Sequence, residues 1–209
     1  MGLSLAREFG RAGASVALVA RDAAGAQAMV ATLADEGIAA VGAAGNVADP
    51  DSLRSALAEL RDQSGDPELA VYNAGANLAG PIESLGFEEF MTAYALGVAG
   101  ALVTLQSVLP AMRAAGSGTF IATGSGASVR PYASGSAVGA PKAALRNFIQ
   151  AASLELAPAG VRVATVTIHG VLGSAPGFEP AALARHFWTV WAQSSLPRDQ
   201  WEWEFDVRP

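Results

Sequence analysis

Residues 68–75 read Glu68-Leu69-Ala70-Val71-Tyr72-Asn73-Ala74-Gly75. An apolar run of strand length enters a turn made from Asn and Gly, residue types that tolerate positive φ. Outward from this stretch, the pattern alternates. Upstream lie a helix over 51–63 after Pro50, a strand over Ile38–Ala43, and a helix capped by Asp22 and stopped at Gly37. Before them, Ser15–Ala20 (SVALVA) has the continuous apolar pattern of a strand buried on both faces, and Gly2–Arg11 reads as a helix ending at Gly13. Downstream come a long helical stretch over Phe87–Ala115, a strand over Thr119–Thr123, and a Ser/Gly-rich loop over 124–139. A helix opened by Pro141, a strand over Val161–Ile168, a helix over Pro180–Gln193 and an edge strand over Trp203–Val207 complete the chain. Strands alternating with helices form parallel βαβ units, hence a doubly wound α/β sheet. Ligands of such sheets bind where the strands end, here loops 20–22, 44–47, 73–80, 123–139 and 168–178.

Composition narrows the function. The chain has 209 residues, 51% of them hydrophobic and 15% charged, which suits one folded α/β domain over 1–209. Its net charge is -6, and its 13 Lys and Arg form no basic run, so nucleic acid is not an expected partner. With no cysteine and only His169 and His186, disulfides, thiolate chemistry and Cys- or His-rich metal sites are excluded, and no metal is expected. Arg7, Glu8 and Arg11 interrupt any leader-like apolar run, so the compartment expected is the cytoplasm. Met91–Met112 is uncharged and reads as a buried or subunit-interface helix rather than a membrane span.

The loop residues resemble the short-chain dehydrogenase/reductase family over essentially the whole chain. Asn73-Ala74-Gly75 resembles the family's Asn-Asn-Ala-Gly turn, with Tyr72 in place of the first Asn. Asn46-Val47 resembles the Asp-Val pair that contacts adenine. Ser125 stands at the catalytic serine, Lys142 at the lysine of Tyr-x-x-x-Lys, and Gly170 at the glycine of a Pro-Gly pair whose proline is here His169. The resemblance implies a Rossmann-like doubly wound parallel sheet, an NAD(P) cofactor, a small carbonyl or alcohol substrate, and a homodimer or homotetramer. Assembly would run through the helices of 91–112 and 141–157, which are rich in small residues. Ser125 would orient substrate. Lys142 would hold the nicotinamide ribose and lower the pKa of the family's tyrosine.

The departures weigh as much as the matches. The tyrosine position is Val138, which has no proton to give, and the position of the family's relay asparagine is Gly97. General acid–base catalysis contributes about 10²- to 10⁴-fold, so the ordinary reaction should be slowed at least that much. Tyr132, Ser134 and Ser136 are the nearby replacements, and Pro141 should start the helix late enough that 138 and 142 share no face. The family's first strand and two of its fingerprint glycines are missing. Gly2 would be the last glycine, so an N-terminal truncation and a weak or absent cofactor are expected. Loss of that central strand would leave inner edges unpaired, so either the natural protein begins upstream or the sheet is rearranged. Arg21 follows SVALVA where NAD-preferring members carry an acid, which favours NADP, unless it pairs with Asp22. The run Val71–Asn77 and the ending Trp201–Pro209 resemble a divergent branch that lacks the tyrosine and keeps the lysine. A degenerate oxidoreductase is therefore the leading expectation. The alternatives are a non-catalytic cofactor- or partner-binding module, and a dehydratase or cyclase using Lys142 or His169 as base.

Overall fold

The computed structural model describes residues 1–76 and 78–208; Asn77 and Pro209, named in the motifs above, lie outside the described residues. In chain order the elements are α1 (Gly2–Arg11), β1 (Val16–Ala20), α2 (Ala23–Asp35), β2 (Ala40–Ala44), α3 (Pro50–Ser64) and β3 (Leu69–Tyr72). There follow α4 (Phe87–Tyr94), α5 (Gly100–Ala115), β4 (Gly118–Ser125), α6 (Ser136–Leu156), β5 (Val161–Ile168), α7 (Pro180–Ala192) and β6 (Glu204–Val207). Asp22 caps α2 by accepting from the Gly25 amide at 2.7 Å, and Asp49 caps α3 through the amides of Asp51 and Ser52.

Every pairing is parallel, in the order β2-β1 for one sheet and β3-β4-β5-β6 for the other. Alternate residues feed two cores, as the pleat requires. Phe120 and Ala122 of β4, with Val161 and Val163 of β5, pack under α5 and α6 against Leu105, Leu145 and Ile149. Ile121, Ala164, Val166 and Ile168 face the other way, onto Leu5, Phe9, Leu183 and Phe187 of α1 and α7. Phe9 lies 5.4 Å from Trp188 and 5.9 Å from Trp191, which docks α1 on α7.

The sheet is split rather than rearranged. Among the described residues β1 and β3 are each hydrogen-bonded along one edge only. This corrects the reading of SVALVA as a strand buried on both faces. No residue of β1 is fully buried, whereas all of β5 is. A strand with one neighbour leaves its other edge to water, and its side chains lose half their cover.

One long helix is found as expected, with an addition, and another starts earlier than expected. Phe87–Ala115 is one rod, and its middle, Ala95–Ala99, is wound as a π-turn. It is long and apolar enough to cross a membrane by length and composition, yet 44% of its most apolar window is buried against protein. In addition, α6 starts at Ser136, five residues before Pro141. The proline removes one helical donor, to Ala137, and its ring packs on Gly97, where a methyl would lie 2.8 Å from Pro141 Cβ. Positions 138, 142 and 146 therefore do share one face, and the obstacle expected from Pro141 is absent.

Candidate active site

Because all strands are parallel, their carboxyl ends lie along common edges, and the residues singled out by sequence stand there. Lys142 is the centre. Its Nζ donates to the Thr123 carbonyl at 2.6 Å, and a methyl on Gly75 would sit 3.7 Å from it. The helix α6 thus sets its amine over the ends of β3 and β4. Asn73 accepts from Thr123 Oγ1 at 2.8 Å, which ties the Asn73-Ala74-Gly75 turn to the same point. Burial without a carboxylate partner pushes the Lys142 amine down to about 8. Ser125 ends β4, and its Oγ accepts from the Ala127 amide at 3.2 Å, so its proton stays available to a ligand.

The nucleotide side is looser. Arg21 is exposed just past β1 and forms no ion pair among the described residues, so the pairing with Asp22 is not found. Asn46 Oδ1 caps its own turn, accepting from Ala48 at 3.0 Å, and Val47 packs on the core beside Gly100. Gly2 opens α1; its Cβ position has nothing within 4 Å, and Met1 supplies no side-chain cap. Gly170 is held by packing: a side chain there would strike Phe178.

The proton-bearing positions are depleted. Val138 is half-buried on the Lys142 face. Gly97 touches Pro141, so an asparagine there has no room. Tyr72, in place of the family's asparagine, turns its phenol into the fold and donates to the Leu96 carbonyl at 2.5 Å. That carbonyl lies in the π-turn, and burial pushes the phenol's pKa up. Tyr132 is exposed, packs over Gly135, and makes no hydrogen bond to Lys142 or Ser125. Ser134 sits at φ 63° with its carbonyl taken by Gly80, and Ser136 begins α6.

Some partners carried little signal in sequence. Thr123 acts through a backbone carbonyl, which no residue type encodes. Glu204 of β6 takes Arg146 Nε at 2.7 Å and Thr167 Oγ1 at 2.8 Å, locking α6, one turn past Lys142, to the sheet. His169 Nε2 meets Asp206 Oδ1 at 2.5 Å across 37 residues; the histidine in place of proline was the visible mark. Cavities of about 410 and 430 Å³ lie at the opposite end, by Arg162, Trp201 and Trp203 and by Gly116 and Gly160. They are remote from this chemistry. Among the described residues no group of three His, Cys, Asp or Glu could hold a metal ion.

Fold and site together define a dinucleotide-fold protein, and the comparisons say which. The short chain dehydrogenase family model matches residues 1–175, so the chain belongs to the short-chain dehydrogenase family. It is 30% identical over 163 residues to the oxidoreductase asL5 of Sarocladium schorii, covering 78% of this chain and 64% of that protein. It is 28% identical over 144 residues to the vibriobactin-specific 2,3-dihydro-2,3-dihydroxybenzoate dehydrogenase of Vibrio cholerae, covering 69% and 52%. The chain thus spans about half to two thirds of these curated relatives. A metagenomic short-chain oxidoreductase solved with NADP superposes at TM-score 0.86 and 27% identity, over 100% of this chain and 91% of that one.

Proposed function

We propose that this chain binds a nicotinamide dinucleotide, NADP in preference to NAD, along the carboxyl ends of its strands, and acts weakly on a small carbonyl or alcohol. It would be one domain, a cytoplasmic member of the branch that has lost the tyrosine and kept the lysine. The observation that carries the reading is the Lys142 amine, desolvated and anchored to Thr123 above a side-chain-free Gly75. Those residues fit a ribose: an ammonium with two further donors faces space that a Cβ would narrow. The uncapped first turn of α1 fits a pyrophosphate, and Val47 offers an apolar wall for a base. When bound, the nicotinamide supplies or accepts hydride. Ser125 holds the substrate oxygen, and Lys142 holds the cofactor.

Titration with NADPH, followed by nicotinamide fluorescence, tests this. Saturable binding is expected; no change overturns the reading. Arg21→Asp should move preference from NADPH toward NADH by roughly tenfold, the worth of one charge-assisted contact of about 1.5 kcal/mol. An unchanged ratio would remove Arg21 from the site. The protonless Val138 favours a second reading, a cofactor-binding module without chemistry. Tight NADPH binding with no turnover across a ketone panel would select it.

Assembly as a homodimer or homotetramer belongs to the same proposal. Phe87, Met91 and Leu102 on the long rod and Leu154 on α6 are exposed apolar residues. Light scattering at micromolar concentration should give a dimer or tetramer; a monomer would refute it.

A further inference from the structure

We propose that His169, held by Asp206, is the residue that exchanges a proton with substrate in this site. The inference deepens the reading above and rests on it. Ser125 and Ile168 are register partners at the ends of β4 and β5, so His169 is the first residue past the strand beside Ser125 and Gly126. Its amide donates to the Val207 carbonyl at 2.9 Å, which fixes its backbone. The ring lies over Gly126; a methyl there would come within 2.8 Å of Nδ1.

The two ring nitrogens have different fates. Nε2 is 2.5 Å from Asp206 Oδ1, while Asp206 Oδ2 accepts from Arg208 at 2.7 Å. Burial pushes the Asp206 carboxyl up, but hydrogen bonds from His169 and Arg208 outweigh this and hold it below its ordinary range. An ionised carboxylate accepts, so Nε2 carries a hydrogen. Among the described residues Nδ1 has no hydrogen-bond partner. The fully buried side-chain polar atoms without a partner, among the described residues, are Ser128 Oγ and Arg162 Nε, so Nδ1 is not fully buried. The side chain is otherwise 8% exposed. A ring with one nitrogen anchored to a carboxylate and the other open beside Ser125 is the arrangement general acid–base chemistry uses.

In reduction, Nδ1–H of the imidazolium gives its proton to the carbonyl oxygen while the carbonyl carbon receives hydride from a reduced nicotinamide. The C=O π bond breaks, C–H and O–H bonds form, and the neutral imidazole regains a proton from water. Alcohol oxidation runs the same transfers backwards. His169 thus fills the role Val138 cannot, from the end of the strand paired with that of Ser125. Asp206 is a positioning residue.

The test combines protection with kinetics. Diethyl pyrocarbonate modification of the whole chain is followed by mass spectrometry, with exposed His186 as internal reference, and NADPH binding is followed by fluorescence. NADPH at about ten times its Kd should slow modification of His169 about tenfold by mass action and leave His186 unchanged. His169→Gln should lower turnover on a panel of small ketones by at least about a hundredfold with NADPH affinity unchanged. Asp206→Asn should lower kcat and leave KM for NADPH in place, which a merely structural clamp would not do. NADPH bound without protecting His169 overturns this proposal alone. So does full turnover in His169→Gln, or a wild-type chain that binds NADPH and reduces nothing. Absence of NADPH binding overturns the underlying reading, and this one with it.

Discussion

Exchanging Lys142 for methionine should stabilise the chain at pH 7 by about 2 kcal/mol and weaken NADPH binding at least about tenfold. Burial lowers the amine from 10.5 to about 8, and each pKa unit is worth about 1.4 kcal/mol. Keeping the amine charged at pH 7 therefore costs the fold on the order of 3 kcal/mol. Removing it forfeits the hydrogen bond to Thr123, about 1 kcal/mol, which leaves the net gain. The sign follows from linkage. Between about pH 8 and 10.5 the unfolded chain binds more protons than the folded one, so stability rises with pH. Tyr72 acts later: its phenol is raised by burial, so its contribution is lost only above the ordinary tyrosine value of about 10. Urea unfolding from pH 7 to 10 should show rising stability in the wild type and a flat profile in Lys142→Met. Equal profiles would mean that the amine is not desolvated. A residue that destabilises its own fold and lies at the ligand edge is what a functional lysine looks like.

Gly100→Ala should destabilise the chain by about 3 kcal/mol and weaken nucleotide binding. A methyl at Gly100 would strike Tyr72 Oη, lie 2.6 Å from Val47 Cγ1 and 3.0 Å from the Val47 carbonyl. Overpacking costs about 1–3 kcal/mol. Displacing the phenol from the Leu96 carbonyl adds about 1–3, and alanine's helix propensity returns about 1. Thermal unfolding measures the sum. The double variant with Tyr72→Phe should be less destabilised than the two single effects added, because it removes the struck oxygen. Additive effects would show that Tyr72 and Gly100 are not in contact. Val47 moves with the helix in this variant, so NADPH affinity should fall although Lys142 is untouched.

What sequence showed and what it hid divide along physical lines. Strand SVALVA is visible from its apolar run, but its exposure is not, because burial depends on the neighbour along its free edge. The C-terminal strand was visible from its motif; its lock through Glu204 and Arg146 spans 58 residues and leaves no local pattern. Pro141 looked like a helix start because a first-turn proline is the commoner use. Its real environment, a ring against Gly97 in the sixth position of α6, is a tertiary contact between two helices. The π-turn at Ala95–Ala99 is equally silent: the segment is apolar throughout, and what stabilises the turn is a tyrosine hydroxyl from β3. At the site, Lys142, Ser125 and the Asn73-Ala74-Gly75 turn were readable because each sits at a fixed place after a strand or in a helix. The pairing of His169 with Asp206 joins two strand ends, and spacing alone does not reveal it.

Lys142 and the strand ends around it are proposed to hold a nicotinamide dinucleotide. A crystal structure of the chain grown with saturating NADP tests it most directly. The nicotinamide ribose is expected hydrogen-bonded to Lys142 Nζ above Gly75, with the adenosine end against Val47 near Arg21. Density for NADP elsewhere, such as the cavity beside Arg162 and Trp203, or none at saturation, would contradict it.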